Sequence, residues 1–197
     1  MTVDVNVLEA DETLLEEIDE IMEETMVQLF ILQPRTAEAL EAAKEAAREH
    51  TAIFYVAPLT LRFESDEKCV GFFVDAPYLL EALEITKPLF VDESQLDDAL
   101  VALLRYKRGI VLNATKLHDG LEQFFFAVGP GTIDRFSAEA LAGVTMDRIV
   151  LQSGYPEYGF EQIHATAGKI SNAIFRPEPS IIANATRSAL TLLGFKK

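Results

Sequence analysis

The chain has 197 residues and 49% of them are apolar, which predicts one globular domain, residues 1–197, with a sizeable core. Its 32 acidic and 17 basic residues leave a net charge of -15, which repels phosphate backbones and anionic lipid, so bulk nucleic-acid and membrane binding are not expected. One cysteine excludes an internal disulfide, and no apolar run reaches the roughly 20 residues that span a bilayer. No signal-peptide pattern is visible at the amino terminus, so we expect a cytoplasmic location.

Strand and helix patterns alternate in the first part of the chain. Apolar residues recur at helical spacing after the first strand, and an alanine-rich face marks the second helix. The predicted elements are a strand from Thr2 to Leu8, a helix from Glu12 to Met26, a strand from Val27 to Leu32, a helix from Thr36 to His50, and a strand from Ala52 to Val56.

The alternation continues after a shortened connection, since Pro58 to Lys68 is too short for a full crossover helix. The next predicted elements are a strand from Cys69 to Val74, a brief helix from Tyr78 to Ile85, a strand from Pro88 to Val91, a helix capped by Ser94 with Asp97, and a strand from Gly109 to Leu112. The last are a short helix from Leu117 to Gln123, a strand from Phe124 to Val128, a helix turn from Ser137 to Ala142, a strand from Arg148 to Leu151, and helices from Phe160 to Phe175 and Ser180 to Leu193.

Eight strands that alternate with helices predict an α/β fold, a compressed (β/α)8 TIM-type barrel with shortened or missing helices after strands 3 and 4. No Gly-x-Gly-x-x-Gly follows the first strand, which disfavours a dinucleotide-binding sheet. An open flavodoxin-like or doubly wound sheet is the alternative, because periodicity does not fix strand order. In either fold the residues past the carboxyl ends of the strands, such as Gln152 to Pro156, are where chemistry is usually placed.

Several strand ends resemble motifs of the TatD family of metal-dependent hydrolases, in the same order and over nearly the whole chain. The opening Val3-Asp4-Val5-Asn6-Val7-Leu8 is similar to that family's Ile-Asp-x-His-x-His. Further similar stretches are Pro88 to Asp92 for Pro-x-x-x-His, Gly109 to Asn113 for the strand that ends in a separate histidine, residues 144–156 for Asp-Arg-Leu-Leu-Leu-Glu-Thr-Asp-x-Pro, and Thr186 to Gly194 for the closing Thr-x-x-Asn-x-x-x-Leu-Phe-Gly.

The resemblance implies a pair of divalent metals at the barrel mouth, but the residues at the corresponding positions are mostly not ligands. Asn6 and Leu8 replace the opening histidines, Phe72 the bridging glutamate, Asp92 and Asn113 the two later histidines, and Gly154 the aspartate. Neutral amides and apolar side chains bind transition metals or zinc poorly or not at all. We therefore expect no paired metal site and no cofactor, and without the metals the family's phosphoesterase chemistry lacks its hydroxide.

The three histidines are the remaining candidates for that chemistry. His50 ends a helix and His164 lies in the closing helices, so both are expected to be structural. His118 follows the sixth strand, where a barrel exposes it at the mouth, and with Asp92 it could form a His/Asp couple. No serine or cysteine nucleophile is specified beside it, so this pair is a weak catalytic candidate.

Five side chains at the mouth suit ligand binding by hydrogen bonds without covalent chemistry. They are Asn6, Asp92, Asn113, Gln152 and Tyr155. The opposing interpretation is that they satisfy one another and fill a closed mouth.

Other polar and aromatic groups give weaker signals. Four carboxylates could hold a hard cation, yet their spacing matches no known loop: Glu9, Asp75, Asp92 and Glu93. Cys69 lies in an apolar run and is expected to be a buried thiol, and Phe124 to Phe126 are expected in the core.

The sequence thus favours a TatD-like pseudoenzyme that binds a small molecule or a partner without catalysis. The alternative is a hydrolase, phosphoesterase or deoxyribonuclease-like, with an altered or single-metal site. A third hypothesis is a structural subunit, an oligomer formed through the truncated side of the barrel between the third and fifth strands, where missing helices would leave apolar wall exposed.

Overall fold

The computed structural model describes residues 2–8, 11–59, 67–74, 85–143 and 146–195. Eight strands form one parallel sheet in which each strand pairs with the next along the chain. The strands are Thr2–Val7 (β1), Val27–Leu32 (β2), Ile53–Pro58 (β3), Cys69–Phe73 (β4), Leu89–Asp92 (β5), Gly109–Leu112 (β6), Phe124–Val128 (β7) and Ile149–Leu151 (β8). This sequential order excludes the flavodoxin-like and doubly wound alternatives, in which the strand order reverses.

The first and last strands meet at their carboxyl ends. The Leu8 amide donates to the Tyr155 carbonyl at 2.9 Å, and the Gly154 amide donates to the Asn6 carbonyl at 3.2 Å. The sheet therefore curls into a nearly closed barrel, and the predicted compressed (β/α)8 fold is confirmed.

Seven α-helices lie in the described part of the chain. They are Glu12–Glu16 (α1), Ile18–Thr25 (α2), Ala37–Glu49 (α3), Asp98–Leu104 (α4), Ala138–Gly143 (α5), Gln162–Ile174 (α6) and Glu178–Leu193 (α7). None of the helices in these ranges is both long and apolar enough to cross a membrane. The side chain of Thr36 caps α3 by accepting from the Ala39 amide, and that of Asp97 caps α4 by accepting from the Leu100 amide.

Four predicted helices differ from those observed. The first divides at Glu17 into α1 and α2, and Ser94 lies in a 3-10 turn while Asp97 alone caps α4. Leu117 to Gln123 forms turns instead of a helix, with Gly120 at a φ of 89°. The last helix begins at Glu178, after the N-cap Pro177, and includes Pro179 in its first turn, where a proline sacrifices no helical hydrogen bond.

The expected truncated side falls mostly on residues that the structure does not describe. The predicted helix from Tyr78 to Ile85 and most of the connection after β3 lie within residues 60–66 and 75–84, outside the described ranges. The structural-subunit hypothesis, which depends on that wall, stays a prediction.

Buried apolar side chains form two clusters. The inner cluster fills the barrel with residues from all eight strands, among them Val5, Ile31, Val56, Val70, Phe90, Ile110, Ala127 and Val150. Ala189 and Leu192 of α7 pack against it, so this helix covers the interior. The outer cluster lies between strands and helices and holds Phe124 and Phe126, which confirms their place in the core. The single thiol, Cys69, is buried and unbridged.

Basic side chains at the amino-terminal ends of the strands hold backbone carbonyls. Lys68 precedes β4 and donates to three backbone carbonyls at 3.0 to 3.1 Å. Lys87 before β5 and Lys107 before β6 each donate to one carbonyl, and Arg148 before β8 donates to two. His164 binds the Thr25 carbonyl at 2.9 Å and Glu178 at 3.3 Å, a structural role. These four positive charges at this end of the barrel are therefore part of the scaffold.

Candidate functional site

A row of three polar side chains crosses the carboxyl ends of β5, β6 and β8. The Asn113 side-chain amide donates to Asp92 Oδ2 at 2.7 Å, and the Gln152 amide donates to Asn113 Oδ1 at 2.6 Å. The Asn113 backbone amide returns a hydrogen bond to Gln152 Oε1 at 3.2 Å. Each member is thereby held by its neighbours, and the row is rigid.

The backbone at Asn113 and Gly129 is shaped to make this row possible. Asn113 has a φ of 54°, a left-handed conformation that asparagine tolerates better than most residues and that is enriched at functional sites. A Cβ at Gly129 would lie 2.7 Å from Gln152 Cγ, so only glycine leaves room for the Gln152 side chain. The left-handed backbone at Asn113 and the missing side chain at Gly129 thus allow the three side chains of the row to meet.

A second polar cluster lies beside the row and is centred on Glu93. Its Oε2 accepts from the Thr115 amide at 3.0 Å and from the Thr115 hydroxyl at 2.5 Å, and its Oε1 lies 2.9 Å from His118 Nε2. The His118 ring stacks parallel to Phe126, with centroids 6.5 Å apart. The cluster ties the exit of β5 to the connection between β6 and β7.

Opposing effects set the pKa of Glu93. Burial alone would raise it, but the hydrogen bonds from Thr115 and His118, with the charge attraction of His118, outweigh burial and hold the pKa below its ordinary value of 4.5. Glu93 is therefore an ionised acceptor at neutral pH and does not act as a proton donor there.

An open cavity of about 540 Å³ is lined by members of both clusters, but the buried Gln152 does not line it. Its lining residues come from the carboxyl-terminal loops of the barrel: Asp92, Glu93, Ser94, Leu96, Asn113, Thr115, Lys116, His118, Thr132 and Arg135. This is the size of pocket that takes a small molecule, and its position matches the end at which barrels place their sites.

Two of the five predicted ligand-binding residues lie elsewhere in the mouth. The Tyr155 hydroxyl donates to the Asp11 carboxylate at 2.8 Å, and its ring stacks on Phe160 with centroids 4.6 Å apart. Asn6 is only 2% exposed, and its side-chain oxygen accepts no hydrogen bond from the described residues. Of the five, the structure brings together Asp92, Asn113 and Gln152.

The predicted His/Asp couple forms with a different acid. His118 meets Glu93, whereas Asp92 Oδ1 accepts from the Ser94 amide at 3.0 Å and hydroxyl at 2.5 Å, and Oδ2 accepts from Asn113. The pairing of Asp92 with His118 is therefore corrected to Glu93 with His118. Asp92 and Glu93 are adjacent in the sequence, so the sequence allowed either acid to pair with His118.

Behind the mouth, Asp4 joins β1 to the residue that follows Gln152. Its carboxylate accepts from the amides of Asn6 and Ser153, both at 3.1 Å, and from the Ser153 hydroxyl. The side chain is fully buried, and this desolvation raises its pKa although all three hydrogen bonds oppose the shift. Asp4 thus fastens the seam where the barrel closes.

Among the described residues, the strand ends do not bring together the ligands that a pair of divalent metals needs. Within the described ranges, no three side chains of His, Cys, Asp or Glu converge in a way that could hold a metal ion. Both oxygens of Asp92 already accept hydrogen bonds, and so does Asn113 Oδ1. Of the four carboxylates considered for a hard cation, Glu9 and Asp75 lie outside the described residues.

Comparison with solved structures identifies the fold. A TatD homologue from Escherichia coli, YjjV, superposes with a TM-score of 0.77 at 14% identity, covering 99% of this chain and 98% of that chain. A TatD-family hydrolase from Entamoeba histolytica gives 0.68 at 9% identity, with 97% of each chain covered. A 2,6-dihydroxybenzoate decarboxylase from Rhizobium gives 0.63 at 12% identity, with 98% of each covered.

These likenesses show that the chain shares the barrel fold of the TatD structures, in agreement with the resemblance in the sequence. No family model and no curated protein matches the sequence.

Proposed function

We propose that this chain is a degenerate TatD-type barrel that binds a small polar molecule at its mouth without metal-dependent catalysis. The observation that carries the proposal is the fixed row of Asp92, Asn113 and Gln152 beside a cavity of about 540 Å³. The fold shared with TatD proteins over nearly the full chain supports the ancestry.

A pre-formed site favours binding because little side-chain freedom is lost when the ligand arrives. Asn113 is held on both of its amide atoms, and Glu93 is held on both of its oxygens. The groups that face the cavity therefore present fixed acceptors and donors, and specificity would follow from their positions.

The same residues argue against the chemistry of the resembled family. A metal-activated hydroxide needs carboxylate or imidazole ligands at the strand ends, where Asn6, Phe72 and Asn113 now stand. Asn113 is instead engaged in the polar row. These substitutions support a binding role for the mouth.

Replacement of Asn113 by glycine tests the site. Asn113→Gly keeps the left-handed backbone but removes the amide that links Asp92 to Gln152. We expect mouth-binding ligands to lose about tenfold or more in affinity, while the folded state loses only about 1 kcal/mol. Amide shifts of a ¹⁵N-labelled chain, titrated with a set of small polar fragments of either charge and of none, measure this.

Met26→Gly is the matched control, because Met26 also has a positive φ, of 59°, but lies beside the amino end of β2. It should leave fragment binding unchanged. Equal loss of affinity in both variants, or fragments that bind only away from residues 92–118, would contradict the proposed site.

The Glu93 and His118 pair supports a second candidate, a hydrolase that uses an altered site or no metal. A carboxylate that orients an imidazole is a common general-base arrangement. The nearby hydroxyls of Ser94 and Thr115 donate hydrogen bonds to the carboxylates of Asp92 and Glu93, and neither is bonded to His118. The Glu93 and His118 pair therefore has no activated nucleophile beside it. Hydrolysis of a generic aryl phosphate that disappears in both Asp92→Ala and His118→Ala would establish this candidate over the binding role.

A further inference from the structure

We infer that the ligand of the mouth is a small anion, a carboxylate or a phosphate, held by Lys116 and Arg135. This inference rests on the proposed function and names the chemical class of its ligand. Lys116 lies on the connection between β6 and β7, Arg135 lies in the 3-10 turn after β7, and both line the cavity.

The two cations at the cavity do not hold the scaffold by hydrogen bonds or ion pairs, although the charge of Arg135 acts on the Tyr158 hydroxyl and opposes the rise of its pKa. Both side chains are on exposed residues, and neither forms a hydrogen bond or an ion pair with any residue in the described ranges. Lys68, Lys87 and Arg148, at the other end of the barrel, instead donate to backbone carbonyls. Lys116 and Arg135 therefore keep all of their donors for a ligand.

The two acidic side chains at the cavity, Asp92 and Glu93, are by contrast already engaged in hydrogen bonds. Asp92 accepts three hydrogen bonds, from Ser94 and Asn113, and Glu93 accepts three, from Thr115 and His118. Their charges are already stabilised by protein donors, so a cationic ligand would find few open lone pairs. Open donors beside occupied acceptors select an anion.

Size and overall charge restrict this anion to a small molecule. A cavity of about 540 Å³ accepts a molecule of modest size, and the net charge of -15 repels a polymeric phosphate. Carboxylates and phosphates both suit a lysine with an arginine, since each offers paired oxygens to the guanidinium.

Titration of the full ¹⁵N-labelled chain, at fixed ionic strength, tests the class of ligand. The probes are inorganic phosphate, succinate, neutral glycerol and the diamine putrescine. We expect saturable shifts of the Ser94 and Thr115 amides with phosphate or succinate and none with glycerol or putrescine. The probe that saturates at the lower concentration distinguishes a phosphate ligand from a carboxylate.

A pair of matched double variants tests the residues. Lys116→Gln with Arg135→Gln removes the two cavity charges. The control, Arg176→Gln with Arg187→Gln, removes one exposed charge between α6 and α7 and one on α7. The first should raise the Kd of the bound anion about tenfold or more, and the second should change it less than about twofold.

The outcomes separate this inference from the proposed function. An anion that binds equally well to both double variants overturns the inference. Glycerol or putrescine binding at the same amides, with loss in Asn113→Gly, also overturns it but leaves the binding function standing. No shift of the mouth amides with any probe overturns both.

Discussion

Replacement of Asp4 by alanine should destabilise the folded chain by about 2 to 4 kcal/mol. The change leaves the buried amides of Asn6 and Ser153 and the Ser153 hydroxyl without their acceptor at the seam of the barrel. Equilibrium denaturation in urea measures the loss. Asp119→Ala, on an exposed turn, is the matched control and should stay within about 0.5 kcal/mol of the unchanged chain.

Asp4→Asn separates the charge of Asp4 from its hydrogen bonds. The pKa of Asp4 in the folded state lies above its ordinary value of 3.8, because burial disfavours the carboxylate. The stability that this group contributes is therefore complete below the unfolded pKa and is lost as pH rises through the folded pKa. An asparagine, which does not titrate there, keeps two acceptor bonds and escapes the loss.

We therefore expect the stability of Asp4→Asn, relative to the unchanged chain, to improve as the pH rises from the ordinary pKa of 3.8 towards neutrality. Denaturation of both proteins across that range measures the difference. A relative stability that worsens over the same range would mean that Asp4 is stabilised as a carboxylate, and an Asp4→Ala variant as stable as Asp119→Ala would remove Asp4 from the seam.

Replacement of Gly109 by alanine should destabilise the chain by about 3 to 5 kcal/mol or prevent folding. Gly109 opens β6 and pairs with Leu89 on one side and Phe124 on the other. A Cβ there would lie 2.0 Å from the Leu89 carbonyl oxygen and 2.7 Å from a ring carbon of Phe124. The oxygen belongs to a strand backbone, so relief requires the sheet itself to shift.

Gly168→Ala is the matched control, because the nearest atom to its added Cβ is Glu178 Oε2 at 3.6 Å, an ordinary contact. Gly168 lies inside α6, where alanine favours the helix by about 0.5 to 1 kcal/mol. The two glycine variants should thus move the denaturation midpoint in opposite directions. Similar midpoints for Gly109→Ala and the unchanged chain would contradict the close packing of β5, β6 and β7.

The strands were predictable because a barrel strand buried on both faces is a short and mostly apolar run. Val27–Leu32, Gly109–Leu112 and Phe124–Val128 have the predicted bounds. Asn113 and Gly129 directly follow two of them, and Pro34 lies two residues past the third. A short apolar run that ends at such residues suits no amphipathic helix. The order of these elements along the chain then led to the barrel.

The helix predicted from Leu117 to Gln123 is wrong, and it shows where apolar periodicity gives a wrong secondary structure. Leu117 and Leu121 lie four residues apart, which is a helical spacing. The fully buried Leu121 instead reaches the core from a turn in which its amide donates to the His118 carbonyl at 3.4 Å. Gly120, at a φ of 89°, stops a helix at that point. Buried leucines in a short loop cannot be distinguished by spacing from those of a helix turn.

The sequence predicted which side chains lie at the strand ends, but it did not predict which groups they bond to. Position after a strand placed Asp92, Asn113 and Gln152 at the mouth, and the structure joins them. That Tyr155 turns to Asp11 depends on the path of the loop, which no residue pattern specifies. Lys116 and Arg135 were missed because the sequence does not show where the loops that carry them run. Only the structure shows that these two surface charges line the cavity.

The proposal that the mouth lacks the paired metals is tested most directly by elemental analysis. The full chain would be purified without a histidine tag or chelator and measured before and after soaking in zinc, manganese and magnesium. We expect far less than one metal ion per chain in every case, because the strand-end residues offer amides and occupied carboxylates. Tightly held metal near one or two ions per chain would contradict this account and favour the hydrolase.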